Sequence, residues 1–220
     1  MAKIIVLMGA PGAGKGTQAR LLQERLGLPQ ISTGDIFREL ARAQTPLADE
    51  VRAVQAAGNL LSDDLVMRVV EERTSRDDTR NGYILDGFPR TTVQAEMLED
   101  LAKAQDKDIV AILVDVPADL LEKRAVGRRT CPVCGEIYNI YFRPPKADEV
   151  CDLHPDARLI HRSDDTSEKI KVRLDTYEKQ TRPLLEYYDA SGRLHPVDGT
   201  QDPELIFGEI ERIVRSGDQE

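Results

Sequence analysis

No hydrophobic run in this chain is long enough to cross a bilayer. Its 220 residues are 40% hydrophobic and 31% charged, and no apolar stretch approaches the ~20 residues that a spanning helix needs. A membrane protein is therefore not expected. The first apolar run, residues 4–8, is also too short for a secretory signal and runs straight into glycines. A cytoplasmic location is the expectation. Positive charge is in deficit, with 30 Lys and Arg against 39 Asp and Glu, a formal net charge of −9. Coulomb repulsion then disfavours nucleic acid or an anionic membrane as partner. Small anions remain open, because a local arginine cluster can outweigh the global charge. Cysteine is scarce, and all three lie between 131 and 151. That is a local cluster and not a disulfide framework. There is no internal repeat and no low-complexity segment. One domain over 1–220 with inserted pieces is expected, and the polar tail 215–220 is expected to fray.

What the chain does have is Gly9-Ala10-Pro11-Gly12-Ala13-Gly14-Lys15-Gly16-Thr17. A strand-like run precedes it, and Leu21, Leu22, Arg25 and Leu26 begin an amphipathic helix after it. Strand, glycine loop, lysine and helix N-terminus make a phosphate cradle. Glycines let several backbone N–H groups point inward, and the helix dipole adds positive potential. Lys15 offers a cation to the outer phosphates. The spacing fits G-x-x-x-x-G-K, with Gly16 where Ser or Thr usually follows and the hydroxyl one residue later at Thr17. A glycine-rich turn with an incidental lysine is the bland alternative, and the flanking strand and helix argue against it.

Further strand-like runs fall at 29–31, 83–85, 109–116 and 194–197. Helical patterns separate them. Ser62-Asp63-Asp64 can cap a helix carrying Leu65, Val66, Val69 and Val70 on one stripe. Asp165 and Glu168 have capping-box spacing ahead of Ile170, Leu174 and Tyr177. Alternating β and α elements predict an α/β fold: a parallel five-stranded sheet flanked by helices, with ligands beyond the C-terminal strand ends. Residues 32–61 and 127–163 fit that alternation badly and read as two insertions. The second contains β-like pieces at Ile137-Tyr138 and Ile140-Tyr141-Phe142. Long insertions in compact domains are usually functional, often lids.

Cys131-x2-Cys134 and Cys151-x2-His154 are separated by sixteen residues. Two chelating pairs at that distance predict a structural zinc knuckle, closed to substrate. Asp152 and Asp156 compete with His154 as fourth ligand. A dithiol reading of Cys131-Pro132-Val133-Cys134 is the alternative.

Asp86 ends an apolar strand, where a P-loop protein places a carboxylate that holds magnesium through water. Gly87, Pro89 and Arg90 follow, and Arg90 presents a fork of donors that matches a phosphate. Arg124 and Arg128 share a helix face. Arg173 falls on the apolar side of its own helix, where a guanidinium needs a partner or an anion. Arg162 precedes that helix, and Arg38 follows Asp35. Any one of these arginines could be a surface salt bridge. Together beside a phosphate loop they predict the binding of several phosphates.

With these residues in view the chain resembles adenylate kinase in its long-lid bacterial form. The resemblance rests on 9–17, Gln30-Ile31-Ser32-Thr33-Gly34-Asp35, Asp86-Gly87-Phe88-Pro89-Arg90-Thr91, Val126-Gly127-Arg128-Arg129, Pro144-Pro145-Lys146 and Val197-Asp198-Gly199-Thr200. It implies a P-loop nucleoside-monophosphate-kinase fold with two mobile insertions, an AMP-binding one at 32–61 and an ATP-covering lid at 127–163. It implies ATP contacts at Gly12, Ala13, Gly14, Lys15, Gly16, Thr17, Arg124, Arg128, Tyr138 and Gln201. AMP contacts are implied at Thr33, Arg38, Asn59, Leu60, Leu61, Gly87, Arg90, Gln94, Arg162 and Arg173, with the Gln94 amide suited to the adenine edge. Catalysis would fall to Lys15, Arg90, Arg128, Arg162 and Arg173, with Mg²⁺ held through water by Asp35 and Asp86. Zn²⁺ would sit in the lid, where His154 departs from the more usual Cys or Asp. The implied partners are ATP, AMP and ADP, and the implied state is a monomer. A sister kinase acting on UMP or CMP is the nearest rival. A switch GTPase lacks its Asn-Lys-x-Asp motif here, and a nucleotide- or zinc-sensing module has no need of so many arginines.

Overall fold

The computed structural model describes residues 2–57 and 59–216. Of the polar tail, Arg215 and Ser216 close the last helix, and the other four residues lie outside the described range. The core elements run β1 (Lys3–Met8), α1 (Lys15–Leu26), β2 (Gln30–Ser32), α2 (Thr33–Leu40), α3 (Pro46–Ala57), α4 (Asp63–Thr74), β3 (Gly82–Asp86), α5 (Thr92–Ala104), β4 (Asp108–Asp115) and α6 (Ala118–Val126). A hairpin, β5 (Arg128–Thr130) and β6 (Ile137–Asn139), begins the second insertion. The chain finishes with α7 (Ser167–Thr176), a π-turn at Tyr177–Thr181, α8 (Pro183–Ala190), β7 (Leu194–Asp198) and α9 (Pro203–Ser216).

Strand β1 is buried along its whole length. Alternate side chains feed two different cores, Ile4, Val6 and Met8 one of them and Ile5 and Leu7 the other. A strand buried on both faces needs neighbours on both edges and helices above and below. The five-stranded sheet meets that need in the order β2-β3-β1-β4-β7, every pair parallel. One face is covered by α1 and α9 through Leu21, Leu22, Phe207 and Ile210. The other is covered by α4, α5 and α8 through Val66, Val70, Leu98 and Leu184. Central β1 ends in the glycine loop, so the loop opens at the C-terminal edge of the sheet, where the parallel topology puts ligands.

Residues 128–163 form a small unit around Cys131, Tyr138, Cys151 and Ala157. Two details of the sequence reading change. Ile140-Tyr141-Phe142 is a turn and not a strand. Asn139 Oδ1 accepts hydrogen bonds from the backbone N–H of Tyr141 (2.9 Å) and Phe142 (3.3 Å), a side-chain-closed turn that competes with extended backbone. Asp165 does not cap α7. Thr166 is the N-cap, its hydroxyl accepting from Lys169 N at 3.4 Å. Asp165 is wholly buried instead and faces arginines. Two guanidiniums attract a carboxylate more strongly than one helix-end N–H does.

Candidate active site

The phosphate loop is shaped by crowding as much as by glycine freedom. Gly9 has φ +137° and Gly12 φ +92°, in the region that side-chain-bearing residues avoid. A Cβ on Gly9 would lie 2.6 Å from the Val114 carbonyl oxygen, and one on Gly12 would lie 2.4 Å from that of Leu121. Gly9→Ala is expected to cost about 2–3 kcal/mol from strain at one such position, read as a fall in Tm. An unchanged Tm would mean that the loop is not held against β4. Gly14 precedes α1 in a left-handed conformation and gives no side-chain cap. In the first turn of α1 the Thr17 N–H donates to Gly14 O at 3.0 Å, and those of Lys15 and Gly16 are left to an anion.

Lys15 curls over this loop. Its ammonium donates to the carbonyls of Gly9 (2.6 Å) and Ala10 (3.1 Å). Burial pushes it down to about 8; Asp86 pulls upward, while Arg90, Arg173 and Arg128 add to the fall. Asp86 ends β3, with Gln30 Nε2 donating to it at 3.4 Å.

A cavity of about 1010 Å³ opens in front of the loop. All ten ATP-side residues of the sequence reading line it: 12–17, Arg124, Arg128, Tyr138 and Gln201. From the AMP side, Arg38, Gly87, Arg90, Arg162 and Arg173 line it too, together with Asp35 and Asp86. Lysine and arginines that span residues 15–173 thus converge on one space.

The arginines are held in place by acids. Arg128 grips Asp165 with two parallel bonds, Nε to Oδ2 at 2.8 Å and Nη2 to Oδ1 at 2.6 Å. Arg173 Nη1 donates to Asp164 Oδ2 (3.1 Å) and Asp165 Oδ1 (3.3 Å). Arg38 pairs with Asp35 at 2.6 Å, and Arg162 stands 3.9 Å from the same carboxylate. Arg90 Nε donates to the Gly87 carbonyl at 2.7 Å. Burial pushes Arg90 down to about 10, with the Arg173 charge adding to it. Arg162 is likewise pushed to about 10 by burial and then by Arg128 and Arg38. Arg128 goes the other way: burial would lower it, but Asp165 outweighs burial. A site that crowds cations until their charge is disfavoured is a site built for an anion. On the far side, Arg124 Nη1 donates to Gly199 O at 2.7 Å, and its guanidinium sits 5.9 Å from the Phe142 ring centre.

Some sequence-read residues stand elsewhere. Leu60 borders a second cavity of about 80 Å³ that shares Lys15, Gly87, Arg90 and Arg173 with the first. Asn59 is exposed, and neither it nor Leu61 borders either cavity. Thr33 is buried, its hydroxyl donating to Gly87 O at 2.9 Å. Gln94 is buried with both ends of its amide engaged, Oε1 accepting from Arg90 N (2.8 Å) and Nε2 donating to Asp63 (2.8 Å). Tyr138 turns its hydroxyl toward the cysteines, 3.6 Å from Cys151 Sγ. The structure also brings in residues the sequence reading missed. Gln18, Gln30 and Phe142 line the large cavity, and Asp164 and Asp165 orient its arginines. Adjacent acids two residues past Arg162 were the available signal for the last two.

Cys131, Cys134, Cys151 and His154 place their ligand atoms within 4.8 Å of one another. Cys134 Sγ and Cys151 Sγ are 3.8 Å apart, as are Cys151 Sγ and His154 Nδ1. The edge of a tetrahedron with zinc–sulfur bonds is about 3.8 Å, so the set can hold zinc. Burial works to raise the Cys151 thiol, but hydrogen bonding from Tyr138 and His154 outweighs it and pulls the thiol to about 6, toward the thiolate a metal needs. Asp152 accepts from Lys146 N at 2.8 Å, and neither it nor Asp156 joins the cluster.

The sequence matches the adenylate kinase family over residues 7–193. The chain belongs to the adenylate kinase family. It is 44% identical over 211 residues to an adenylate kinase of Clostridium botulinum (strain Loch Maree / Type A3), covering 96% of this chain and 97% of the relative. It is 45% identical over 212 residues to that of Nitrosococcus oceani, covering 96% and 98%. The adenylate kinase of Clostridium perfringens (strain SM101 / Type A) is 46% identical over 213 residues, again covering 96% and 98%. The α/β fold with its five-stranded parallel sheet is that of a P-loop nucleoside-monophosphate kinase. The chain is an adenylate kinase enzyme, a nucleotide-binding transferase. Among its described residues no helix is long and apolar enough to cross a membrane.

Proposed function

We propose that this adenylate kinase transfers the terminal phosphoryl group of ATP to AMP by positioning and charge neutralisation alone, inside a cavity that its two insertions close. The observation that carries the reading is the convergence of Lys15, Arg38, Arg90, Arg124, Arg128, Arg162 and Arg173 on one space. The AMP phosphate is already an anion, so the acceptor needs no general base. Lys15 and the open N–H groups of α1 take the donor phosphates, and Arg90 and Arg38 take the acceptor. Arg128, Arg162 and Arg173 neutralise the group in flight. Bound Mg²⁺ supplies further neutralisation of the donor phosphates. Asp86 fits it, since its carboxylate lines the cavity together with Lys15 and Thr17 of the phosphate loop and would hold the ion through water. Asp35, paired with Arg38 and Arg162, serves it only through water. Residues 32–61 act as the AMP-binding subdomain. Residues 127–163 act as a lid that excludes water as a competing acceptor and carries zinc as a structural ion. Lid opening then limits kcat, and a lid that moves far faster than turnover counts against this. The reading includes action as a cytoplasmic monomer. One chain supplies every cation named above, and its three cysteines, joined in no disulfide, suit a reducing compartment.

A coupled assay that offers ATP with AMP, GMP, UMP or CMP in turn tests the acceptor. AMP is expected to be preferred by orders of magnitude, and equal use of UMP or CMP overturns the choice. The pH profile tests Lys15. Phosphate binding needs its protonated form, and burial holds its pKa near 8. The kcat/KM for ATP, which reports free enzyme, is therefore full below that pH and falls about tenfold per unit well above it. A flat profile to pH 10 would show that Lys15 does not govern ATP capture.

A further inference from the structure

One further ion cluster stands at the large cavity: Arg20 and Arg143, which line it, both face the carboxylate of Glu136. Glu136 is 5% exposed and sits just after the Cys131–Gly135 turn, its carbonyl accepting from Cys131 N at 2.9 Å. It belongs to the second insertion. Its carboxylate reaches Arg20 on α1, whose Nη2 contacts Oε2. From its own insertion, Arg143 Nη1 lies 2.7 Å from Oε1, an ion contact outside hydrogen-bond alignment. Arg143 is braced by a bond to the Ile137 carbonyl at 3.1 Å and by the Tyr138 ring, 5.7 Å away. Arg20 has one further acid nearby, Glu24, at 3.7 Å. One helical turn after Lys15, the phosphate-loop helix is thus bonded to the insertion that carries Arg128.

We propose that Glu136 is a positioning residue of the phosphoryl-transfer reaction, a latch that docks the second insertion on α1 by pairing with Arg20 and so sets the closed geometry at the ATP phosphates. This rests on the reading of 127–163 as a lid. The pair joins groups 116 residues apart in sequence, so opening the lid must separate them. Both charges regain water when that happens, so the latch is strong enough to bias closure and weak enough to release. Removing it favours the open lid, in which ATP is held less tightly. The acceptor side, built on α2 and Arg90, is untouched.

The test compares parent enzyme, Glu136→Gln, Arg20→Gln and the double variant. Kinetics are run with ATP varied at saturating AMP and the reverse, and lid exchange is followed by NMR relaxation dispersion with and without ATP. Each single variant is expected to raise KM for ATP about three- to tenfold, with KM for AMP within twofold and kcat unchanged or raised. The double variant is expected to match the singles, because the two residues act as a unit. A loss of Tm or kcat with KM for ATP unmoved, or single effects that simply add, overturns the latch. Parent enzyme without ATP-dependent lid exchange overturns the lid reading and the latch with it. Parent exchange that the variants do not alter overturns the latch alone. Arg20→Gln keeps the test decisive should Glu136→Gln fold poorly, since Arg20 lies outside the small core of the insertion.

Discussion

Lys15→Met is expected to lose activity by at least about a hundred- to a thousandfold while the fold stays intact. The magnitude follows from what one preorganised charge aimed at developing negative charge contributes. Lys15 is the cation closest in sequence to the loop, and its ammonium already lies 2.6 Å from the Gly9 carbonyl. Methionine keeps the length of the stem and removes the charge. Stability is not expected to suffer. The pKa near 8, depressed from 10.5 by burial, means that the protonated form is disfavoured in the fold. At pH 7 a neutral side chain therefore leaves Tm where it was or raises it. Kinetics and calorimetry on one preparation decide the matter. A variant within tenfold of the parent would remove Lys15 from the donor site, and a collapsed melt would make it structural.

Loading the Cys3His cluster with zinc and then stripping it is expected to lower Tm by about 5–15 °C, the size of a few kcal/mol in a chain of this length. The insertion has very little core: its buried cluster is Cys131, Tyr138, Cys151 and Ala157, and two of those belong to the Cys3His cluster. So small a unit needs a staple. Phosphoryl transfer assayed well below the melt is expected to fall far less than stability does, because a Cys3His set leaves no open position for substrate. The measurement is calorimetry of metal-free and zinc-reloaded enzyme. Coincident melts would leave the cluster without a structural role. A loss of turnover at low temperature with no change in Tm would place the metal in the chemistry.

Much of the site was legible because the local grammar is strict. A glycine loop between a buried strand and a helix has few other uses, and arginines on apolar helix faces need anions. Those two signals account for residues 12–17, Arg124 and Arg128 on the cavity wall, while Tyr138 and Gln201 come only from the family resemblance. Pairings through space were not legible. Asp165 has the spacing of a cap, yet it lies against Arg128 and Arg173. That contact joins α7 to the start of the second insertion, and only the fold brings them together. Gln94 reads as an amide suited to the adenine edge, but the sequence does not show that each end of that amide already has one protein partner, Arg90 N and Asp63. Its partners come from α4 and from the loop before α5. The turn at Ile140-Tyr141-Phe142 hid behind β-prone side chains, and the determinant was Asn139, one residue upstream. The strand order was legible only as alternation. The crossings that place β1 between β3 and β4 depend on which helices cover which face.

The crowding at Gly9 and Gly12 has a genetic corollary. In both places the obstacle to a larger residue is a carbonyl oxygen of the main chain, at Val114 and at Leu121. No amino-acid exchange at 114 or 121 removes that oxygen. A lesion at either glycine thus has no second-site suppressor among its neighbours, and a selection for revertants is expected to return glycine codons and nothing else.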